Sequence, residues 1–301
     1  MKKIVFIFTI IVATIQLHAQ EFQGMAVYES KTSTSDFKNR MPPNRDITPE
    51  MQKNMEERMK KMFEKTFILN FDKSASIYKE EEKLESPGQD GGGGMRMMNS
   101  MMGSGGIFYK NVKNKAYTVD KEFMGKEFLI KDSLPNLKWK LEGETKVIGG
   151  YNCFKATAVR VVSKTDFRNF RPKDDKKDDE KKSDDMKLDD KDKKTSFMSN
   201  IEIPKEVIVT AWYTPEIPVN QGPENYWGLP GLILEINDGR TTILCSKVVL
   251  NIKQKVEIKE STKGKVVSQN DYDAIVIKKM EELAEMRERN RGNGGGMPPM
   301  R

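Results

Sequence analysis

The residues that bear chemistry cluster in one stretch, Trp212 to Ile236, which reads WYTPEIPVNQGPENYWGLPGLILEI. Three carboxylates border it, Glu216, Glu224 and Glu235. Paired carboxyls serve glycoside hydrolysis when held ~5 to 9.5 Å apart, so a carboxylate-based hydrolase is one reading of the segment. Tyr226 and Trp227 sit just before Gly228, Leu229, Pro230 and Gly231. Pro fixes φ near −65° and Gly accepts positive φ, so Leu229-Pro230-Gly231-Leu232 predicts a type II turn. Trp212 and Tyr213 close the strand that enters the loop. Rigid aromatics in an ordered loop either plug a core or line a ligand pocket.

Other nucleophile systems are poorly supplied. The chain has one histidine, His18, and two cysteines, Cys153 and Cys245. Ser-His-Asp and Cys-His systems need an imidazole to move the proton, and most catalytic zinc sites use histidine ligands. Ser76-Ile77-Tyr78-Lys79 has S-x-x-K spacing, but on a strand residues three apart face opposite ways. Ser35 and Lys38 repeat the spacing in a polar linker without a supporting motif. No cofactor is expected.

A softer chemistry is offered by Met95, Met97, Met98, Met101 and Met102, which fall in the low-complexity run SPGQDGGGGMRMMNSMMGSGG at 86–106. Thioethers select Cu(I), so a Met-rich copper-binding protein is a second reading; compositional drift in a glycine-rich insert is the plainer one.

The charge does not describe a nucleic-acid binder. The formal charge is +7 with 32% charged residues, yet residues 173–194 alone hold 9 lysines and 10 acids. That balanced polyampholyte is predicted to be solvated, within a disordered insert spanning about 164–200. Lys2 and Lys3, the apolar run Ile4 to Ile15, and Leu17-His18-Ala19 form a signal peptide over 1–19. Cleavage would remove both lysines and the histidine and leave +5 on 282 residues. No transmembrane segment is expected after cleavage. An exported chain favours a Cys153–Cys245 disulfide.

The remaining text positions these groups. Short β-rich runs recur at Phe22 to Ser30, Phe67 to Phe71, Ala75 to Tyr78, Ile107 to Tyr109, Ala116 to Val119 and Phe128 to Ile130. They continue at Leu137 to Leu141, Thr145 to Ile148, Tyr151 to Val162, Glu206 to Tyr213, Leu232 to Ile236 and Thr241 to Leu250. Asn237-Asp238-Gly239 is a strong hairpin signal. No strand–helix alternation appears. The prediction is a mainly β domain over 20–289, a curved antiparallel sheet resembling a half-barrel with a few peripheral helices. A two-sheet sandwich is the alternative. Thr48-Pro49 predicts a helix start, and Met51, Met55, Met59 and Met62 mark one packing face of that helix. A C-terminal helix is predicted from Ser268, and a disordered tail over 290–301.

Gly228-Leu229-Pro230-Gly231-Leu232-Ile233 spells the signature of the GLPGLI family, which this chain resembles. The flanking Trp212 to Pro218, Gly222-Pro223, Gly125-Lys126 ahead of Trp139, and Ile148 to Ala156 are also similar to that family. The segment around Cys153 resembles lipoprotein-carrier half-barrels in fold alone. The resemblance implies an exported protein of the Gram-negative envelope, periplasmic or outer-membrane-associated, without an assigned activity. The combined expectation is a non-enzymatic binding or accessory module for an apolar ligand or an envelope protein. A large apolar cavity would favour the ligand; a filled core with an exposed strand edge would favour the protein.

Overall fold

The structure, a computed structural model, describes residues 22–33, 48, 50–51, 53–54, 57, 60, 63–81, 106–166, 168, 171–172, 201–202 and 204–292. The expected signal peptide, the five-Met cluster, the polyampholyte and all of the tail but 290–292, which end the C-terminal helix, lie outside the described residues.

Strand-forming text becomes strands almost throughout. β1 (Gly24–Thr32), β2 (Glu64–Phe71), β3 (Ala75–Glu80), β4 (Phe108–Asn111), β5 (Ala116–Phe123) and β6 (Lys126–Ser133) form an antiparallel series. β7 (Lys140–Ile148), β8 (Tyr151–Val161), β11 (Glu206–Thr214), β12 (Leu232–Asn237) and β13 (Thr241–Leu250) form another. β1 pairs with β13 and joins the two. β14 (Lys265–Val267) adds in parallel beside β6. The result is one open, curved 12-stranded sheet in the order β14-β6-β5-β4-β3-β2-β1-β13-β12-β11-β8-β7. The sandwich alternative is therefore replaced by the half-barrel. A separate two-residue pair, β9 (Arg171–Pro172) and β10 (Ile201–Glu202), lies off the sheet.

β1 shows why the sheet curls. Its even-numbered residues from Gly24 to Thr32 are buried and the odd ones are not, so one face must be covered and the other is wet. Residues from β1, β2, β3, β8, β11, β12 and β13 share one apolar cluster. A second cluster joins β5 and β6 to the helix Gln269–Gly292 through Tyr272, Val276 and Met280. Phe128 meets Tyr272 edge-on at 5.5 Å. The tight turns carry the backbone they need: Met124-Gly125 and Gly149-Gly150 all have positive φ, the requirement of a type I′ hairpin.

Leu137 to Leu141 alternates apolar and basic residues, and that pattern predicts a strand. Only Lys140 and Leu141 join one. Residues 134–139 instead leave β6, which lies near one edge of the sheet, and reach β7 at the other. They have no strand partner because their polar groups are spent elsewhere: Pro135 O accepts from Trp227 Nε1 at 2.8 Å, and Trp139 Nε1 donates to Trp227 O at 2.9 Å. The helix expected after Thr48 is seen at its start, where Thr48 Oγ1 accepts from Met51 N at 3.2 Å. Met51 itself is exposed; Met55, Met59 and Met62 lie outside the described residues.

Candidate functional site

The segment from Pro215 to Gly231 leaves β11, folds across the concave face and re-enters at β12. Ile217, Val219, Tyr226 and Leu229 are buried in the main cluster. Trp227 packs on the second cluster, so the loop bridges the two cores. Burying four such side chains gives it about 6–12 kcal/mol of transfer free energy, which must offset the ordering of its backbone. The expected type II turn does not form. Gly231 N instead donates to Leu229 O at 2.8 Å, closing a three-residue turn. Gly231 is required for space: a Cβ there would lie 2.1 Å from Thr214 O. Gly228 is the loop glycine held at positive φ, 90°.

The loop is fastened by a buried lysine. Lys110, on β4, has no exposed surface. Its Nζ donates to Gly222 O at 2.7 Å, Glu224 O at 3.1 Å and Tyr226 O at 2.8 Å. Three acceptors match the three hydrogens of an ammonium. Burial lowers the amine to about 7, while the Glu224 carboxylate acts in the opposite direction. Gln221 adds a second tie, accepting from Ser76 Oγ at 2.9 Å. Tyr28 OH donates to Ile233 O at 2.6 Å just past the loop.

Beside Lys110 lies a charged cluster that the sequence did not announce. Arg168 grips Glu224 with both terminal nitrogens, at 2.6 and 3.1 Å, and its Nε reaches Asp166 at 3.2 Å. Arg160 on β8 contacts Asp166 at 3.3 Å and Asp238 at 3.6 Å. Asp273, from the helix, accepts from Thr165 Oγ1 at 2.6 Å and from Ser163 Oγ at 2.7 Å. Burial opposes ionisation of Asp166, but Arg168 and Arg160 outweigh it and hold the carboxyl at about 2. Glu224 has φ 47°, uncommon for a side-chain-bearing residue. Among the described residues, three buried polar atoms have no hydrogen-bond partner here: Tyr78 OH, Arg160 Nε and Gln221 Nε2. Such atoms are rare in folded proteins. Thr165, Asp166 and Arg168, which make these contacts, fall at the start of the insert expected at about 164–200.

The three acids bordering the motif each have a separate polar partner. Glu216 accepts from Asn152 N at 2.8 Å. Glu235 pairs with Lys146 at 2.7 Å, and Lys146 lies 4.3 Å from the Trp212 ring centroid. Glu224 is held by Arg168. Trp212 and Tyr213, being consecutive on β11, diverge: Tyr213 is buried and Trp212 takes the lysine. Ser76 is buried and Lys79 exposed, as their spacing on a strand requires.

The expected disulfide is not formed; Cys153 and Cys245 are both buried free thiols. They sit on β8 and β13, with β11 and β12 between them. Three strand steps amount to ~14 Å along the sheet, and a disulfide needs Cα atoms within ~7 Å. Each thiol instead donates to a carbonyl on its own strand, Cys153 to Tyr151 O and Cys245 to Lys247 O. Burial pushes both up to about 11. Among the described residues no group of His, Cys, Asp and Glu could hold a metal ion, and no helix is long and apolar enough to cross a membrane.

The last feature is a set of exposed apolar side chains near one edge of the sheet: Leu141 and Phe154 lie opposite buried Ala156 and Tyr213 on the core-facing side, and Val159, Val161 and Ile208 lie on the outer face. Six of the fourteen exposed large apolar side chains among the described residues lie on β7, β8 and β11: Leu141, Val147, Phe154, Val159, Val161 and Ile208. Val159 and Ile208 are directly opposite each other in the ladder. Val161 is 74% exposed, Ile208 70% and Val147 67%. Among the described residues β7 has no neighbour on its far side in the sheet.

These features define an open antiparallel half-barrel whose concave face is covered by its own aromatic loop and C-terminal helix. Residues 139–235 match the model of a family described as a protein of unknown function (Porph_ging). That stretch holds β7, β8, β11 and the motif loop. Two solved structures are similar, "Structure of PNGF-II in C2 space group" and "Structure of PNGF-II in P21 space group". Identity is 14% in both, over 87% and 88% of this chain, with TM-scores of 0.43 and 0.44. The chain spans about a third of those structures, 33% and 34% of their length. No curated protein matches the chain.

Proposed function

We propose that this chain is an exported, non-enzymatic accessory protein of the cell envelope, of the GLPGLI type, that docks a protein partner along its β7 flank. The observation that carries this reading is the concentration of exposed aliphatic side chains on β7, β8 and β11 beside an unpaired edge strand. Exposed apolar side chains next to an open edge, led by the directly opposed Val159 and Ile208, mark a docking surface. An apolar-ligand carrier is less well supported, because Ile217, Val219, Tyr226 and Leu229 occupy the concave face with the chain's own side chains. Charges on β7, Lys140, Glu142, Glu144 and Lys146, oppose indiscriminate edge pairing. They leave room for a partner of matching pattern.

The test is capture from envelope extracts on tagged wild-type protein and on a Val159→Asp/Ile208→Asp double variant. Both positions are exposed, but two like charges directly opposite in a ladder are destabilising by up to about 1 kcal/mol, so the variant is expected to fold and to melt slightly lower. The reading expects a discrete protein retained by the wild type and lost by the variant. Equal retention by the folded variant refutes it.

A further inference from the structure

The charged cluster behind the motif loop offers a second site, distinct from the β7 flank. Its centre is the Glu224 carboxylate, held in place by contacts that do not involve its guest. The Glu224 carbonyl is tied to Lys110 Nζ, the following turn is closed by Tyr226 N on Pro223 O at 3.1 Å, and Tyr226 is buried in the core. The guest is the Arg168 guanidinium. It meets Glu224 fork to fork and Asp166 through Nε, and Tyr78 and Tyr226 are within electrostatic range of the group. A bidentate carboxylate pair with a second carboxylate on Nε matches the planar five-donor fork of a guanidinium.

Charge supports the assignment. Lys110, Lys121, Arg160 and Arg168 are gathered with Asp166, Glu224, Asp238 and Asp273, so removing Arg168 makes this group one charge more negative, whatever the protonation of Lys110. Lys121 Nζ lies over the Tyr272 ring at 5.4 Å. The site is open to solvent: the Arg168 side chain is 24% exposed and that of Glu224 22%. The buried hydroxyl of Tyr78, within electrostatic range of both Glu224 and Arg168, has no hydrogen-bond partner among the described residues.

We propose that the Glu224 seat is an arginine-recognition site occupied by the chain's own Arg168, and that an arginine side chain on another polypeptide displaces it. The test uses the full chain, wild type and Arg168→Ala, titrated with acetyl-Gly-Arg-Gly-amide and its lysine counterpart by calorimetry. Arg168→Ala is expected to bind the arginine peptide 1:1, at least about tenfold more tightly than the wild type, where the guest must first leave. Adding Glu224→Gln is expected to lower that affinity at least about tenfold, as is replacing arginine by lysine in the peptide. A folded Arg168→Ala that binds neither peptide, or both equally, overturns the proposal. If Arg168→Ala does not fold, the wild-type Arg168 Nε–H resonance gives the answer: the arginine peptide shifts it and the lysine peptide does not, and a resonance unmoved by either overturns the proposal. The Val159→Asp/Ile208→Asp variant is expected to bind as its parent does, which separates this site from the docking flank.

Discussion

Lys110 sets burial against hydrogen bonding, and the balance can be measured. The amine is fully buried and lowered from 10.5 to about 7, with burial the larger cause. Between those pH values the folded chain has shed a proton that the unfolded chain still holds. Unfolding therefore takes up a proton, and the stability contributed at Lys110 rises with pH across this window. Each pH unit is worth about 1.4 kcal/mol once the folded amine is neutral, and it is half protonated at pH 7, so stability gains about 2 kcal/mol from pH 7 to pH 9 on this account. Lys110→Met removes the titration and leaves Gly222, Glu224 and Tyr226 with unpaired carbonyls. The assay is urea unfolding of both proteins at pH 7, 8 and 9. Groups common to both cancel in the difference, which is expected to widen in favour of the wild type as pH rises. Parallel stabilities across the range would refute the reasoning, because the three carbonyls and Glu224 would then be holding the ammonium at its ordinary affinity for protons.

Other expectations follow from the same geometry. Gly231→Ala places a methyl against Thr214 O and is expected to cost about 3 kcal/mol. Gly228→Ala meets only the cost of φ 90° in open space, about 1–2 kcal/mol; thermal melts of the two variants should rank them in that order. Asp166, lowered from 3.8 to about 2, contributes stability that is fully present above pH 3.8 and lost as pH falls to 2. It amounts to about 2 kcal/mol, so acid unfolding of Asp166→Asn should lack that part of the wild-type slope. Both thiols are buried, so alkylation without reductant should label neither cysteine in the native protein and both in denaturant.

Local signals carried most of the fold. Asn237-Asp238-Gly239 gives its hairpin because Asn237 Oδ1 accepts from Gly239 N and Asp238 Oδ1 from Thr241 N, both at 2.7 Å; those interactions span two and three residues. Leu137 to Trp139 misled because the contacts that decide its path are to Trp227, nearly ninety positions later. Gly231 was read as a residue needing positive φ, whereas its constraint is a close approach to Thr214, a tertiary fact. The cysteines were paired on compartment and number, and neither reveals that two strands separate them. The charged cluster was least legible. Its members run from Tyr78 on β3 to Asp273 in the helix, with no common motif. Only the nearness of Glu224 to the Pro/Gly/aromatic loop hinted at it, and its partner Arg168 lies at the margin of a charge-rich run.

The central claim, that the β7 flank is the docking surface, is tested most directly by photocrosslinking in cells that make the protein. A photoreactive residue replaces Val147 on β7 in one variant and Met124, in the turn between β5 and β6, in another; both positions are exposed. The account predicts a discrete protein adduct from position 147 and none from position 124. An adduct from 124 with none from 147 would contradict it.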